Sequence, residues 1–152
     1  MRGWIRLKQW LPSILWAIVI SLASTDVFSS SHTSPVFFSL LHWLFPSASP
    51  EALEHMHFFI RKSAHFSEYF VFSVILLRSL RGEERGWRLR WAIWAVTIAA
   101  GYSALDEFHQ SFVPSRTASP WDSLLDTTGA AAAQVVLGLW AFIRRWFVNR
   151  DL

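Results

Sequence analysis

Four apolar runs constrain the fold of this chain more than any other feature. They cover residues 11–28, 69–77, 91–105 and 127–143. Each run is shorter than the roughly 20 residues that a transmembrane helix needs. With their amphipathic ends the helices lengthen to about 22 to 27 residues, which crosses a bilayer core of about 30 Å at about 1.5 Å per residue. We therefore predict four membrane spans, near residues 9–28, 57–80, 88–109 and 120–146.

The composition supports a membrane protein with a single domain, residues 1–152. Apolar residues make up 53% of the chain, including ten Trp and thirteen Phe, which is more than an ordinary small soluble fold contains. The pI near 10.0 is typical of nucleic-acid binders, but here the basic residues flank the apolar runs instead of forming one stripe. We therefore expect no nucleic-acid partner. Cysteine is absent, which excludes disulfides, thiolate metal sites and cysteine nucleophiles.

The basic residues also indicate how the spans are oriented, because cytoplasmic loops retain arginine and lysine. Eleven of the fourteen lie before the first span, between the second and third spans, or after the fourth. We therefore predict a multi-pass protein of the inner (cytoplasmic) membrane with both termini in the cytoplasm. The three exceptions are Arg61, Lys62 and Arg116, and each belongs to a cluster of polar residues. A functional role explains their outer position better than topology does.

A cleaved signal peptide is the alternative interpretation of the N-terminal segment. A basic start, an apolar core at residues 11–20 and the small residues Ser21, Ala23 and Ser24 fit that pattern. The apolar character resumes at Val27 and Phe28, however, and an uncleaved first helix gives an even number of spans. That number agrees with the charges of both tails, so we rank the signal peptide second.

The predicted outer loop between the first two spans contains a short apolar segment of its own. The segment SPVFFSLLHWLFP predicts a helix that begins at Ser34 and Pro35 and ends before Pro46. It is apolar enough to lie in the outer membrane interface. The fold class that we predict is therefore all-α, an integral membrane four-helix bundle with a short interfacial helix in the first outer loop.

Two clusters of ionisable residues interrupt the apolar pattern, and such groups at membrane depth usually mark function. The first contains Arg61, Lys62, His65 and Glu68, and the second extends over residues 106–126. Helical spacing places the polar residues of each predicted span on shared faces. Three such groups result, namely Lys62, His65 and Tyr69, then Asp106, His109 and Gln110, and finally Asp122, Asp126 and Gly129. We expect these faces to converge on one outward-facing polar pocket.

Charge balance limits what this pocket can contain. Five carboxylates face three fixed positive charges in the two clusters, which leaves an excess of two negative charges. A divalent cation, protonation of His65 and His109, or neutralisation of some carboxylates by burial can each meet this excess. The carboxylates are Glu68, Asp106, Glu107, Asp122 and Asp126, and the positive charges are Arg61, Lys62 and Arg116.

The segments KSAHFSEYFVFS and DEFHQSFVPSRTASPWDSLLDTTGAA resemble the two signatures of the VanZ-like family, and the resemblance covers the whole chain. Members of this family are small multi-span membrane proteins, and the namesake confers low-level resistance to teicoplanin. The resemblance implies a role at the cell envelope and in tolerance of glycopeptide antibiotics. The family's shared polar positions correspond to Lys62, His65, Tyr69, Asp106, Glu107, Gln110, Pro114, Arg116, Asp122 and Gly129. Asp126 stands where many members have Asn or Asp.

Specific roles follow for the residues of the predicted pocket. The candidate catalytic residues are His65, Asp106, Glu107 and His109, and the candidate substrate-binding residues are Lys62, Tyr69, Gln110, Arg116, Asp122 and Asp126. The H-x-x-E spacing of His65 and Glu68, together with Asp106 and His109, supplies enough ligands for zinc or another divalent ion. The alternative is a network of intramembrane salt bridges that locks three helices together.

Two classes of function remain open at this point. The first is a membrane-embedded enzyme that acts on the headgroup of an envelope lipid or a lipid-linked precursor, with a metal or His65 as the activating group. The second is a noncatalytic binder or transporter that captures an anionic envelope component. In the second, Lys62 and Arg116 bind a phosphate or carboxylate.

Overall fold

Five α-helices and no strands make up the part of the chain that the computed structural model describes. The backbone is described for residues 2–24, 30–112 and 118–148, and the side chains for residues 7–24, 37–112 and 118–148. The helices are α1 (Arg2–Ala23), α2 (Ser30–Leu44), α3 (Pro50–Arg81), α4 (Leu89–Gln110) and α5 (Pro120–Val148). The all-α class predicted from the sequence is confirmed for these residues.

Local sequence signals fix most of the helix boundaries. Ser49 caps α3 by accepting a hydrogen bond from the backbone N–H of Ala52 at 3.3 Å, with Pro50 at the first helical position. The Glu51 carboxyl follows in the first turn, and its hydrogen bonds to its own backbone N–H and to the Ser49 hydroxyl hold its pKa below the usual value. Gly82 ends α3 with a φ of 60°, a conformation that favours glycine.

The short helix α2 begins earlier than the sequence pattern predicts. The prediction placed Pro35 at the first helical position because proline has no N–H to leave unsatisfied there. In the structure the helix already begins at Ser30, one turn before. A proline this close to the helix start removes one main-chain hydrogen bond, and the other residues of the segment form the helix regardless. The end at Leu44, before Pro46, agrees with the prediction.

Contacts between the four long helices define their relative directions. Lys62 of α3 pairs with Asp122 in the first turn of α5, while Gln134 donates to Ser73 at 2.9 Å further along both, so these two helices are parallel. Ser24 of α1 lies beside Asp106 of α4, and Ala17 lies beside Tyr102, so α1 and α4 are also parallel. Ser13 of α1 contacts Ser79 near the end of α3, which makes the two pairs antiparallel.

Two ends of this bundle differ in character, and we name them by their residues. The polar end carries Lys62, Asp106 and Asp122, where α4 ends and α5 begins. The basic end carries Arg81 and Arg145, at the last turns of α3 and α5. Between them lies a core of buried apolar side chains, which includes Tyr69, Phe72, Leu76, Trp91 and Ala95.

Small residues allow α5 to pack closely against its neighbours. Ala130 and Ala133 are fully buried, and a Cβ atom added to Gly129 would lie 3.2 Å from the Cα of Phe66 on α3. The α3–α5 contact is the most extensive in the molecule. Small residues allow such close approach of helix backbones in membrane proteins.

The outward faces of the bundle are strongly apolar. Large side chains such as Leu105, Phe108, Trp140 and Phe142 are each at least 60% exposed. By length and hydropathy alone, one helix of the described residues, Pro120–Val148, is long and apolar enough to cross a membrane, and Leu7–Ala23 is a shorter apolar helix. The charged residues within α3 lower the mean hydropathy of that helix. The four-span arrangement therefore stays a prediction.

Candidate functional site

A groove between α3 and α5 lies at the polar end, with a volume of about 730 Å³. The Lys62 ammonium donates to the Asp122 carboxylate within it, and both side chains are partly accessible. The Lys62 Nζ atom also lies 5.3 Å from the centre of the Phe58 ring, a cation–π distance. Its remaining lining is mainly aromatic and small, with Phe59, Ser63, Phe66, Ser67, Ser119, Trp121 and Leu125. An ion pair with apolar walls suits a molecule that has a charged head and an apolar body.

A second pair, His65 and Asp126, lies deeper between the same helices. The Nδ1 atom of His65 is 3.6 Å from the Oδ1 atom of Asp126, which is longer than a hydrogen bond. Asp126 is only 2% exposed, and its other oxygen accepts a hydrogen bond from Ser103 of α4 at 2.8 Å. Neither His65 Nδ1 nor Asp126 Oδ1 has a hydrogen-bond partner among the described residues, and the same holds for the hydroxyl of the buried Tyr69. A small approach of the two helices would convert the pair into a hydrogen bond.

The Asp106 carboxylate faces α1 instead of the groove. Its Oδ2 atom accepts hydrogen bonds from the Ser24 hydroxyl at 2.6 Å and from the Gln110 amide at 2.8 Å. Nearby, the Tyr102 hydroxyl donates to the carbonyl of Ala17 at 2.6 Å. The bonds from Ser24 and to Ala17 connect α1 to α4, so the geometry gives Asp106 a role in holding the two helices together.

The Glu107 carboxylate connects the end of α4 to the start of α5. It is 7% exposed, and its Oε2 atom accepts a hydrogen bond from the backbone N–H of Ser119 at 2.8 Å. The carboxylates of Asp106, Asp122 and Asp126 all lie within electrostatic range of it. A cavity of about 380 Å³ opens beside it. The four acidic side chains are therefore neighbours, although each has its own hydrogen-bond or ion-pair partner.

The structure does not assemble the predicted metal ligands. No group of three or more His, Asp or Glu side chains in the described parts of the chain could hold a metal ion. His65 faces Asp126, Asp106 faces Ser24, and the His109 side chain is exposed. The Glu68 carboxylate lies within electrostatic range of His65 without completing a ligand set. The structure therefore does not bring His65, Glu68, Asp106 and His109 into one ligand set.

The predicted faces are partly brought together. Lys62, Tyr69, Asp122 and Asp126 lie on the facing sides of α3 and α5. On α4, Gln110 is buried, whereas His109 points outward because a step of three residues rotates a helix about 60° short of a full turn. Arg116 and Pro114 fall outside the described residues, and their predicted roles stay predictions.

Serines are the residues that sequence reasoning missed. Ser103 binds Asp126, Ser24 binds Asp106, and the backbone of Ser119 binds Glu107. Ser24 was assigned only to a possible cleavage site. The available signal was a serine within an apolar helix, because a buried hydroxyl needs a partner and a neighbouring helix carries the acid.

Comparison with known proteins identifies one family. The model of the family described as VanZ/LLP1 matches residues 9–142, which is most of the chain. No curated protein matches, and no solved structure matches.

Proposed function

This chain belongs to the VanZ-like family, and from that premise we propose that it is a multi-pass protein of the cytoplasmic membrane. In the proposal it acts on the headgroup of an envelope lipid or of a lipid-linked precursor. The helices α1, α3, α4 and α5 are its four spans, and the α2 helix lies in the outer interface. Both termini and the basic end are cytoplasmic, and the polar end faces outward.

The exposed apolar surface supports the membrane placement. Trp94 and Leu105 lie at different heights on α4, and Trp140 lies on α5. Each is at least 59% exposed. Removing apolar surface from water is favourable by about 25 cal/mol of free energy per Å². Dozens of such exposed side chains are therefore unfavourable in water but not in lipid. The accumulation of arginine at the basic end supports the orientation, because basic residues are retained in the cytoplasm.

The observation that carries the proposed activity is the Lys62–Asp122 pair in a groove with aromatic walls. An anionic headgroup can replace Asp122 as the partner of the lysine, since both are oxygen anions and both side chains are partly accessible. The rings of Phe58 and Trp121 then contact the apolar part of the same molecule. Recognition therefore combines one exchangeable ion pair with apolar contact.

His65 and Asp126 provide the chemistry in this proposal. A histidine oriented by a buried carboxylate is the usual arrangement of a general base, because the carboxylate stabilises the imidazolium that forms. Ser103 holds the carboxylate in place through its hydrogen bond. His65 accepts a proton from water or from a substrate hydroxyl, and Asp126 supports the resulting positive charge.

A noncatalytic binder or transporter is the second candidate. The separate pairing of Lys62 with Asp122 and of Asp106 with Ser24 favours it, because such pairs are what a network that locks helices contains. In this alternative the same groove captures an anionic envelope component and no bond is broken.

The two candidates differ in the expected behaviour of two variants of the purified protein. Mass spectrometry of copurified lipid reports binding, and release of headgroup from added anionic lipid reports turnover. We expect Lys62→Met to reduce lipid at the polar end, whereas the control Arg61→Met, which removes the adjacent charge outside the groove lining, keeps it. His65→Gln keeps bound lipid and loses turnover if the protein is an enzyme. No turnover by the unaltered protein on any envelope lipid supports the binder.

The link to glycopeptide tolerance is tested in cells. We expect expression of the unaltered chain to raise the teicoplanin concentration that inhibits growth, and expression of Lys62→Met at equal protein level not to do so. Equal protection by both proteins would separate tolerance from the groove.

A further inference from the structure

A second groove, at the basic end, plays no part in the proposed function. It lies between the last turn of α3, the turn that leads into α4, and the last turns of α5, with a volume of about 560 Å³. Four arginines line it, Arg81, Arg85, Arg144 and Arg145, together with the indole rings of Trp87 and Trp140. Positive charge and aromatic surface are therefore concentrated at one place.

These four arginines have no carboxylate partner within 4.0 Å among the described residues. The nearby Glu84 is occupied, because it pairs with Arg88 at 3.1 Å and with Arg90 at 3.6 Å. Two donors of the lining residues are also buried without a hydrogen-bond partner in the same described parts, the Nε atom of Arg81 and the indole N–H of Trp87. Guanidiniums that line one groove repel one another, and buried donors without acceptors are unfavourable. An anion in the groove relieves the repulsion.

Helix dipoles do not cancel this positive field. The ends of α3 and α5 that face the groove are C-terminal, and each carries a partial charge equivalent to about −0.5. Together they oppose four full positive charges with about one negative charge, so the groove stays strongly positive.

The groove also has an apolar part, which narrows the chemistry of its ligand. Leu77, Leu137 and Val148 line it beside the arginines. The Arg144 guanidinium lies 5.7 Å from the centre of the Trp140 ring, a cation–π distance. Gly86, with a φ of 90°, has no side chain, and the Arg145 Nη2 atom lies 3.7 Å from where a Cβ would be. A free phosphate would use the arginines and leave the apolar wall without a function.

We propose that this groove binds the phosphate of an anionic phospholipid, with the glycerol and upper acyl chain against the apolar wall. Arginine is suited to this ligand, since its planar fork donates two parallel hydrogen bonds to phosphate oxygens. Basic pockets between membrane helices on the cytoplasmic side are recognised sites for such headgroups. The site is separate from the groove that contains Lys62, so either can fail without the other.

Native mass spectrometry of the full chain in mild detergent, titrated with phosphatidylglycerol or phosphatidylcholine, tests the proposal. We expect Arg85→Gln with Arg145→Gln to weaken phosphatidylglycerol binding about thirtyfold, which at 1.4 kcal/mol per tenfold corresponds to about 1 kcal/mol per arginine. Both side chains are exposed, so the variant is expected to fold. Thermal unfolding of each protein checks this.

The matched control is Arg88→Gln with Arg90→Gln. It removes the same charge from the same end, but these guanidiniums pair with Glu84 and lie over the Trp91 ring outside the groove. We expect less than a threefold loss of phosphatidylglycerol binding. Equal losses in both double variants would mean a diffuse electrostatic attraction and would overturn the proposal. The proposal would also be overturned if phosphatidylcholine bound as tightly as phosphatidylglycerol. It would be overturned as well if inorganic phosphate displaced all of the bound lipid.

Discussion

The close approach of α5 to α3 predicts that a single methyl group at Gly129 destabilises the protein. An alanine Cβ there would lie 3.1 Å from the carbonyl carbon of Phe66 and 3.2 Å from its Cα, and closer still to the carbonyl oxygen. All three are backbone atoms, so rotation of a side chain cannot relieve the contact. The two helices must move apart.

The size of the effect follows from these distances. Carbon atoms pack best at about 3.5–4.0 Å, so the backbones must separate by at least about 0.4 Å at the carbonyl carbon. Overpacking of this kind costs about 1–3 kcal/mol. Alanine also favours a helix over glycine by about 0.8–1.0 kcal/mol, which acts in the opposite direction. A control is needed to separate the two contributions.

Gly101 of α4 supplies that control, because a Cβ added there meets nothing within 4 Å. Gly101→Ala gains the helix propensity without the contact. We expect Gly129→Ala to be less stable than Gly101→Ala by about 1–3 kcal/mol. Equilibrium unfolding in mixed detergent, followed by tryptophan fluorescence, measures both variants. Equal stability of the two would refute a backbone contact between α3 and α5 at this position.

Three further predictions concern stability. Asp106→Asn replaces the charged acceptor of the Ser24 hydroxyl by a neutral amide, and we expect the unfolding free energy to fall by about 1 kcal/mol while lipid turnover is kept. Lost turnover at unchanged stability would instead indicate a catalytic role for Asp106. Tyr102→Phe removes the hydroxyl that bonds to the Ala17 carbonyl and to the Ser21 hydroxyl. It should cost about 0.5–1.5 kcal/mol in the same unfolding assay, so an unchanged midpoint would contradict a net contribution from these bonds. Because the pKa of Glu51 is lowered in the folded state, its charged form stabilises the protein above the ordinary pKa, and this effect is lost as pH falls through the folded pKa. The difference in thermal midpoint between the unaltered chain and Glu51→Gln should therefore disappear in acid. A difference that does not depend on pH would exclude the charge of Glu51 as its cause.

Helix positions could be predicted from the sequence because their signals are local. The Ser49–Pro50 start of α3 needs only the residues themselves, and Gly82 supplies a conformation suited to its end. The predicted fourth span likewise begins at residue 120, where α5 begins. Which side chains pair across helices could not be predicted in full, since it depends on helix rotation and on distances that spacing does not contain.

His109 and Ser24 illustrate that limit. Spacing placed His109 on the face of Asp106, but a rotation of some tens of degrees is enough to expose it. Ser24 lies 82 residues before its partner Asp106, so no local pattern relates them. The sequence predicted a network of salt bridges as one alternative, but it did not identify Asp122 as the partner of Lys62.

The length of α3 can be compared directly with the thickness of the bilayer. Lys62 and Arg81 are 19 residues apart on one uninterrupted helix, which at about 1.5 Å per residue is about 28 Å. In the proposed arrangement this spacing nearly equals the hydrocarbon thickness of about 30 Å. Because α5 is bound to α3 along the same stretch, a thinner membrane tilts the two as one body. A change in lipid acyl-chain length would then change the position of the headgroups relative to both grooves, at both membrane surfaces.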